Sequence, residues 1–272
     1  MTLASPTFGP RILIFDSGMG GLSVVRAMRE VAPQAQLAYA ADNEAFPYGD
    51  WQEGALVERM IDVLERLIER TEPDVVIIAC NTASTIGLEA LRYKFDVPFV
   101  GTVPAIKPAA NMTKTGYVSV LATPGTVRRE YTKALIDTYA YHCKVTLHGA
   151  ENLAAMAEAK LNGQGVDLEA LAGEVAPAFV EDEGGRTDVV VLGCTHYPLL
   201  LEELKQVAPW PVEFIDPAPA IARQAMRVCK PQLDANKSKW IFTDVVLNSK
   251  CDINCTIREK LFSRFGFKNV RL

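Results

Sequence analysis

Two cysteines sit at matching points of two matching stretches. Asp74–Thr82 reads D-V-V-I-I-A-C-N-T, and Asp188–His196 reads D-V-V-V-L-G-C-T-H. The interval from Cys80 to Cys194 (194 − 80) equals that from Asp74 to Asp188 (188 − 74), 114 residues in each case. A lone free cysteine is most often a small buried hydrophobe. Two of them at equivalent points of a repeated unit, each followed by a polar dipeptide, point to chemistry instead. A disulfide has neither a C-x-x-C spacing nor an exported context to support it. Cysteine-based acyl transfer uses one nucleophile and leaves the second idle. A symmetric reaction uses both. One thiolate takes a proton from one face of a carbon, and the opposite thiol returns a proton to the other face, inverting the stereocentre.

That chemistry needs helpers, because a free thiol is only about 10% ionised near pH 7.5. A helix N-terminus is expected to lower the thiol pKa. His196, two residues past Cys194, and Asp16, at a neighbouring strand tip, are candidates to assist proton transfer. A surface or capping position also suits His196, though its adjacency to Cys194 favours function, and Asp16 suits an Asx turn equally well. Hydroxyls and N–H groups of Ser17, Asn81, Thr82 and Thr195 are candidates to hold a carboxylate and the enolate-like charge formed beside it.

The elements around these residues follow from pattern. Val75–Ile78 is apolar without alternation, which suits a strand buried on both faces of a parallel sheet. The helical pattern A-S-T-I-G-L-E-A-L follows, so Cys80 stands at a strand's carboxyl end and a helix N-terminus. The second copy repeats this, with Pro198 in a first helical turn and Leu199–Gln206 as the helix. Ligands of open α/β sheets bind at such strand ends. Ile12–Phe15 is a strand ending in D-S-G-M-G-G-L-S, and a helix begins at Leu22. The glycines Gly18, Gly20 and Gly21, with Asp42 further on, resemble a dinucleotide fingerprint only loosely. Ser23 stands where the third glycine belongs, and Asp16 would face the pyrophosphate. Leu37–Ala41 is a strand, F-P-Y-G at 46–49 a turn with an exposed tyrosine, and Leu56, Met60, Val63 and Leu67 mark a covering helix that Asp50 and Glu53 could cap. Val97–Thr102, Tyr117–Ala122, Lys144–Leu147 and a segment ending at Asp216 are further strands. Glu151–Leu161 and the segment around Ala218–Arg227 are helices, and Asp167–Glu183 is mostly helical. Trp240–Thr243 and Phe267–Val270 are late strands.

T-P-G-T at 123–126 occupies the place in the second half that D-S-G holds in the first. Asp16 to Cys80 is 64 residues, and Thr123 to Cys194 is 71. The expectation is two similar α/β domains with mainly parallel sheets, pseudo-symmetric, with the site in the cleft between them. Residues 1–102 with 210–272 form the domain of Asp16 and Cys80, and residues 103–209 that of Cys194.

Composition sets limits. The chain of 272 residues is 49% hydrophobic and 22% charged, which is ordinary for a globular protein. A net charge of −5 and no long basic run argue against nucleic acid or an anionic membrane as partner. Met1–Arg11 lacks the apolar centre of a signal segment, and the most apolar run, Val75–Ala79, is far too short to cross a bilayer. Six sparse cysteines (80, 143, 194, 229, 251, 255) fit a reduced, cytoplasmic chain. Cys251 and Cys255 have no histidine near enough in sequence to complete a metal site, so no metal is expected.

The motifs F-D-S-G-M-G-G-L-S at 15–23, P-Y-G at 47–49, A-C-N-T-A-S at 79–84 and G-C-T-H-Y-P-L-L at 193–200 resemble those of the glutamate racemases, within the aspartate/glutamate racemase superfamily. The resemblance covers residues 11–220 in order. S-K-C-D-I-N-C-T at 249–256 does not resemble the usual C-terminus. The likeness implies cofactor-independent interconversion of L- and D-glutamate, supplying D-glutamate for peptidoglycan and cell shape in a bacterial cytoplasm. It implies Cys80 and Cys194 as the acid/base pair. It implies Asp16, Ser17, Tyr48, Gly49, Asn81, Thr82, Thr195, His196 and Glu158 as substrate contacts, and a homodimer or a regulatory cell-wall precursor as possible partners. Aspartate racemase and a non-catalytic amino-acid-binding protein are the rival readings.

Overall fold

The structure is a computed structural model that describes residues 9–229, 245–248 and 255–271. The first half runs β1 (Arg11–Asp16), α1 (Leu22–Val31), β2 (Gln36–Ala41), α2 (Glu53–Thr71), β3 (Val75–Ile78), α3 (Asn81–Lys94) and β4 (Phe99–Gly101). The second opens with α4 (Ile106–Met112), β5 (Tyr117–Ala122), α5 (Pro124–Val127), α6 (Glu130–Tyr139), β6 (Lys144–Gly149) and α7 (Leu153–Leu161). It continues with α8 (Leu168–Val175), a hairpin of β7 (Glu181–Asp182) and β8 (Gly185–Arg186), then β9 (Val189–Leu192), α9 (Leu201–Val207) and β10 (Glu213–Ile215). The chain then returns with α10 (Ala218–Val228), β11 (Val245–Asn248), α11 (Cys255–Arg264) and β12 (Asn269–Arg271).

Two parallel sheets result, ordered β12-β11-β2-β1-β3-β4 and β10-β9-β5-β6. Written from the other edge, the second is β6-β5-β9-β10, the order of β2-β1-β3-β4. Register repeats too: Phe15 pairs with Ile78, and Leu121 with Leu192. The two halves are therefore similar α/β domains, as expected.

Period-two geometry explains the unbroken apolar runs. In β1 and β3, Ile12, Ile14, Val75 and Ile77 face a core with residues of α1, α10 and α11. Leu13, Phe15, Val76 and Ile78 face the opposite core, against α2 and α3. In β9, Val190 and Leu192 face α7–α9, and Val189 and Val191 face α4 and α6. In β3 and β9 helices cover both faces, every position is buried and none is polar.

Some details differ from expectation. Glu213–Ile215 pairs with β9, so the second sheet extends past residue 210. The helix after Asp167 ends at Val175, and Glu181–Arg186 forms a small antiparallel hairpin instead. Its turn uses Gly184-Gly185, with Gly185 at φ +149°, a conformation that favours glycine. A 3₁₀ turn, Tyr197–Leu200, precedes α9. Helix α2 begins at Glu53 behind Gln52, and no side chain caps it. Tyr48 is not exposed: its ring is buried against Phe15. Phe267 packs with Tyr39 and Phe262, and the final strand begins two residues later. Trp240–Thr243 and Cys251 lie outside the described residues. Among the described residues no helix is long and apolar enough to cross a membrane.

Candidate active site

The carboxyl ends of β1, β3 and β9 meet around one cavity of about 360 Å³. Cys80 is the residue preceding α3 and lies at its N-cap. The first turn of that helix is tied down: Ser84 and Thr102 hydroxyls both donate to the Ile78 carbonyl, at 3.0 and 2.9 Å. Cys194 follows β9 and precedes the 3₁₀ turn, whose Tyr197 ring is anchored in the second core. Both cysteines are buried, and both line the cavity with Asp16, Ser17, Tyr48, Gly49, Asn81, Thr82, Thr195 and His196.

Each sulfur has its own company. The Ser17 hydroxyl lies 3.7 Å from Cys80 Sγ and 3.3 Å from Asp16 Oδ1. Asp16 does form the Asx turn, accepting from the Gly18 N–H at 2.9 Å, yet its other oxygen accepts from the Thr195 hydroxyl of the opposite half at 3.1 Å. The Asx turn is therefore present, and the same carboxylate also ties the first loop to the opposite half. Cys194 Sγ lies 3.8 Å from His196 Nδ1, and His196 Nε2 lies 2.8 Å from Glu158 Oε1. Glu158 also accepts from the Met19 N–H at 2.8 Å, joining α7 to the loop after β1. Glu158 is not among the cavity-lining residues: its carboxylate is turned to His196 rather than into the cavity.

Burial pushes the Cys80 thiol up to about 12, and the nearby Asp16 adds to it; the Ala83 N–H and Ser17 hydroxyl oppose this only in part. The helix N-terminus therefore acts in the expected direction but is outweighed, because a thiolate loses its hydration on entering the site. Burial also raises Asp16, despite His196 and the Gly18 N–H. For His196, burial works against the imidazolium. Hydrogen bonds with Cys194 and Glu158 overcome it and hold the ring well above its ordinary value.

The glycines of the first loop have a spatial reason. A Cβ on Gly20 would stand 2.4 Å from His196 Nδ1 and 2.7 Å from Thr195 Oγ1. Gly20 is small because the opposite half packs onto it, and no phosphate need be invoked. The Ser23 hydroxyl, within 3.0 Å of the Thr195 carbonyl, adds to the same junction. The Asn81 amide donates to the Gly193 carbonyl, while its Oδ1 is buried without a hydrogen-bond partner. Among the described residues no group of three or more His, Cys, Asp or Glu is arranged to hold a metal.

The cavity is also lined by residues that the sequence does not mark as contacts: Phe46, Pro47, Thr123 and Gly125, which lie within the quoted turn motifs, and Arg128 and Glu151. The equivalence of T-P-G-T with D-S-G was the available signal, since corresponding loops of two facing halves meet the same cavity. Tyr48 is held by a network: its hydroxyl donates to Asp42 Oδ2 at 2.7 Å, and Arg59 grips the same carboxylate with two 2.7 Å bonds.

Two buried thiols, one from each half, thus line one cavity at corresponding strand ends. The Asp/Glu/Hydantoin racemase family matches residues 21–225. Glutamate racemase of Brucella anthropi is 52% identical over 222 residues, 81% of this chain and 80% of that protein. The Brucella canis enzyme is 54% identical over 224 residues, 81% of each. Escherichia coli glutamate racemase, solved with L-glutamate and the activator UDP-MurNAc-Ala, superposes with a TM-score of 0.88 at 41% identity, covering 96% of this chain and 97% of that one. Francisella tularensis glutamate racemase, solved with D-glutamate, shares the fold at a TM-score of 0.73 and 22% identity, covering 97% of each chain. The chain belongs to the Asp/Glu/Hydantoin racemase family, alongside its glutamate racemases.

Proposed function

We propose that the chain interconverts L- and D-glutamate by two-base, cofactor-independent proton transfer, and that it supplies D-glutamate for peptidoglycan in the cytoplasm. The observation that carries this reading is the pair of buried thiols lining one cavity from corresponding strand ends of two similar halves. The substrate α-carbon lies between the sulfurs. Its carboxylate faces the N–H groups that open α3 and the hydroxyls of Thr82 and Thr195, which take up the charge that develops as the proton leaves. Its ammonium gives Asn81 Oδ1 the donor it lacks. One cysteine acts as thiolate and removes the α-hydrogen. The other, as thiol, protonates the opposite face, and the roles exchange for the reverse direction. Asp16 and Ser17 serve Cys80, and His196, held by Glu158, serves Cys194.

The E. coli relative is solved with an activator that carries a nucleoside diphosphate. A second cavity in this chain, of about 630 Å³, is lined by Arg26, Arg29, Lys160 and Arg264 over Leu161, Leu199 and Phe265. Its positive rim suits a phosphate-bearing regulator of this enzyme. A homodimer is part of the same reading.

An amino-acid panel read by loss of optical rotation tests the reading. Both enantiomers of glutamate should decay to zero rotation, with solvent deuterium at Cα of the inverted product in D₂O. Rotation that persists for glutamate rejects the assignment, and faster inversion of aspartate favours the rival racemase.

A further inference from the structure

We propose that Tyr39 is a positioning residue for the Cys194 corner, its hydroxyl acting on His196 through the Gly18–Met19 peptide group and Glu158; this rests on the two-base reading above. Tyr39 lies in β2, in the first half, and is not among the cavity-lining residues. Its ring is fully buried, against Phe262 and Phe267 at centroid distances of 6.2 and 6.3 Å. A phenylalanine would fill that seat as well. The hydroxyl serves the first loop instead: it donates to the Gly18 carbonyl at 2.5 Å and meets the Gly21 N–H. Burial pushes its pKa well up, with the charges of Asp16 and Glu158 adding to it, so it stays a donor.

The Gly18 carbonyl belongs to a peptide group held from both sides. The N–H of the same group, that of Met19, donates to Glu158 Oε1 at 2.8 Å. A trans peptide points its C=O and N–H in opposite directions, so Tyr39 and Glu158 sit at its two ends. A hydrogen bond accepted at the carbonyl polarises the N–H and strengthens the bond that it donates. The same Oε1 lies 2.8 Å from His196 Nε2, and His196 Nδ1 lies 3.8 Å from Cys194 Sγ. One carboxylate oxygen is thus fixed by a peptide of the first half and an imidazole of the second. The approach is close: a Cβ on Gly18 would stand 2.9 Å from that oxygen. The Cys80 corner is anchored through the preceding peptide, whose Gly18 N–H donates to Asp16 Oδ1. Freeing the Gly18 carbonyl therefore disturbs Glu158 and His196 first.

The test is a double-mutant cycle of Y39F and H196N with both enantiomers of glutamate. Y39F keeps the ring and should lower kcat/KM about fivefold, the scale of one hydrogen bond. In the H196N background the same change should cost less than about 1.5-fold, because the group it acts through is gone. The α-deuterium isotope effect on kcat/KM should move in opposite directions for the two enantiomers. It should rise for the one whose hydrogen faces Cys194, since removal there becomes more limiting, and fall for its mirror image; H196N should shift each enantiomer the same way. General loosening of the fold would not split the enantiomers. Thermal melts show whether Y39F is folded; if it is not, F267L, which loosens the seat of the ring and leaves the hydroxyl, carries the same comparison. Losses that multiply in the double variant, isotope effects that do not split, or full activity in Y39F each overturn the proposal alone. A wild type that inverts no glutamate overturns the underlying reading and the proposal with it.

Discussion

The two cysteine corners share a backbone plan and differ in everything that surrounds the sulfur. Cys80 opens a helix of 14 residues; Cys194 opens a four-residue 3₁₀ turn. Beside Cys80 stand a hydroxyl and a buried carboxyl, Ser17 and Asp16, from the end of the neighbouring strand β1 and the residue after it. Beside Cys194 stands an imidazole whose pKa its hydrogen bonds with Cys194 and Glu158 raise against burial. One corner thus offers a thiol beside a hydroxyl donor and a buried carboxyl, the other a thiol beside an imidazole. Glutamate and its mirror image have equal free energy, so the reaction has no preferred direction. On the proposed two-base reading the corners need not match, because each sulfur would act as base in one direction and as acid in the other. Their difference would then set which proton transfer limits each direction, with the equilibrium staying at one.

The largest expected effect breaks the comparison outright. Cys80→Ala and Cys194→Ala should each lower racemisation about 10³-fold, within the range that a positioned proton-transfer group supplies. Each variant should keep slow deuterium exchange with one enantiomer only, and opposite enantiomers for the two. Exchange of both enantiomers by either variant shows that one sulfur serves both faces. Smaller losses, about 10²-fold, are expected for Asp16→Asn and His196→Asn. They should fall unequally on the two directions: kcat and KM shift together, because the ratio of kcat/KM values is pinned by the equilibrium constant.

Stability separates the corners in a way activity cannot. Cys80 titrates at about 12 in the fold against an ordinary 9.0. As pH rises from 9 to 12 the unfolded chain loses this proton first and binds fewer protons than the native state, so stability falls with pH. The contribution is on the order of a few kcal/mol, read as a steeper alkaline loss in denaturant midpoint for wild type than for Cys80→Ala. Asp16 works likewise at the acid end. Its raised pKa makes ionisation unfavourable in the native state, so Asp16→Asn should melt higher at pH 7. That advantage should shrink as pH falls toward 3.8.

Sequence revealed the parts of this site that local pattern controls. The β-branched runs V-V-I-I and V-V-V-L favour strands covered on both faces over short buried helices, and the polar pair after each cysteine marks the turn into the cavity. What it concealed depends on contacts between distant residues. Gly20 looks like half of a phosphate loop until His196, 176 residues on, is seen against it (196 − 20). P-Y-G reads as an exposed turn because neither Asp42 nor Arg59 is adjacent to Tyr48 in a way that predicts their bonds to it or to each other. The direction of the Cys80 shift was hidden for the same reason. A helix N-terminus is visible in a sequence, whereas the burial that outweighs it belongs to the assembled cleft.

The smallest effect concerns what holds the corners at their spacing. Glu53 at the start of α2 and Arg129 beside α6 pair across the mouth of the cleft. The Glu53 side chain is 66% exposed and Arg129 23%, so water screens the pair and its net worth is at most about 1 kcal/mol. The buried junction formed by Asp16, Thr195, Ser23 and Glu158 does the greater part of joining the halves. Glu53→Gln should therefore leave the melting temperature within about 2 °C. It should change kcat by no more than about twofold, with the salt dependence of kcat flattened because an exposed pair is what salt screens. A large loss of kcat in this variant, with the cysteine corners intact, transfers control of their spacing from the buried junction to the mouth.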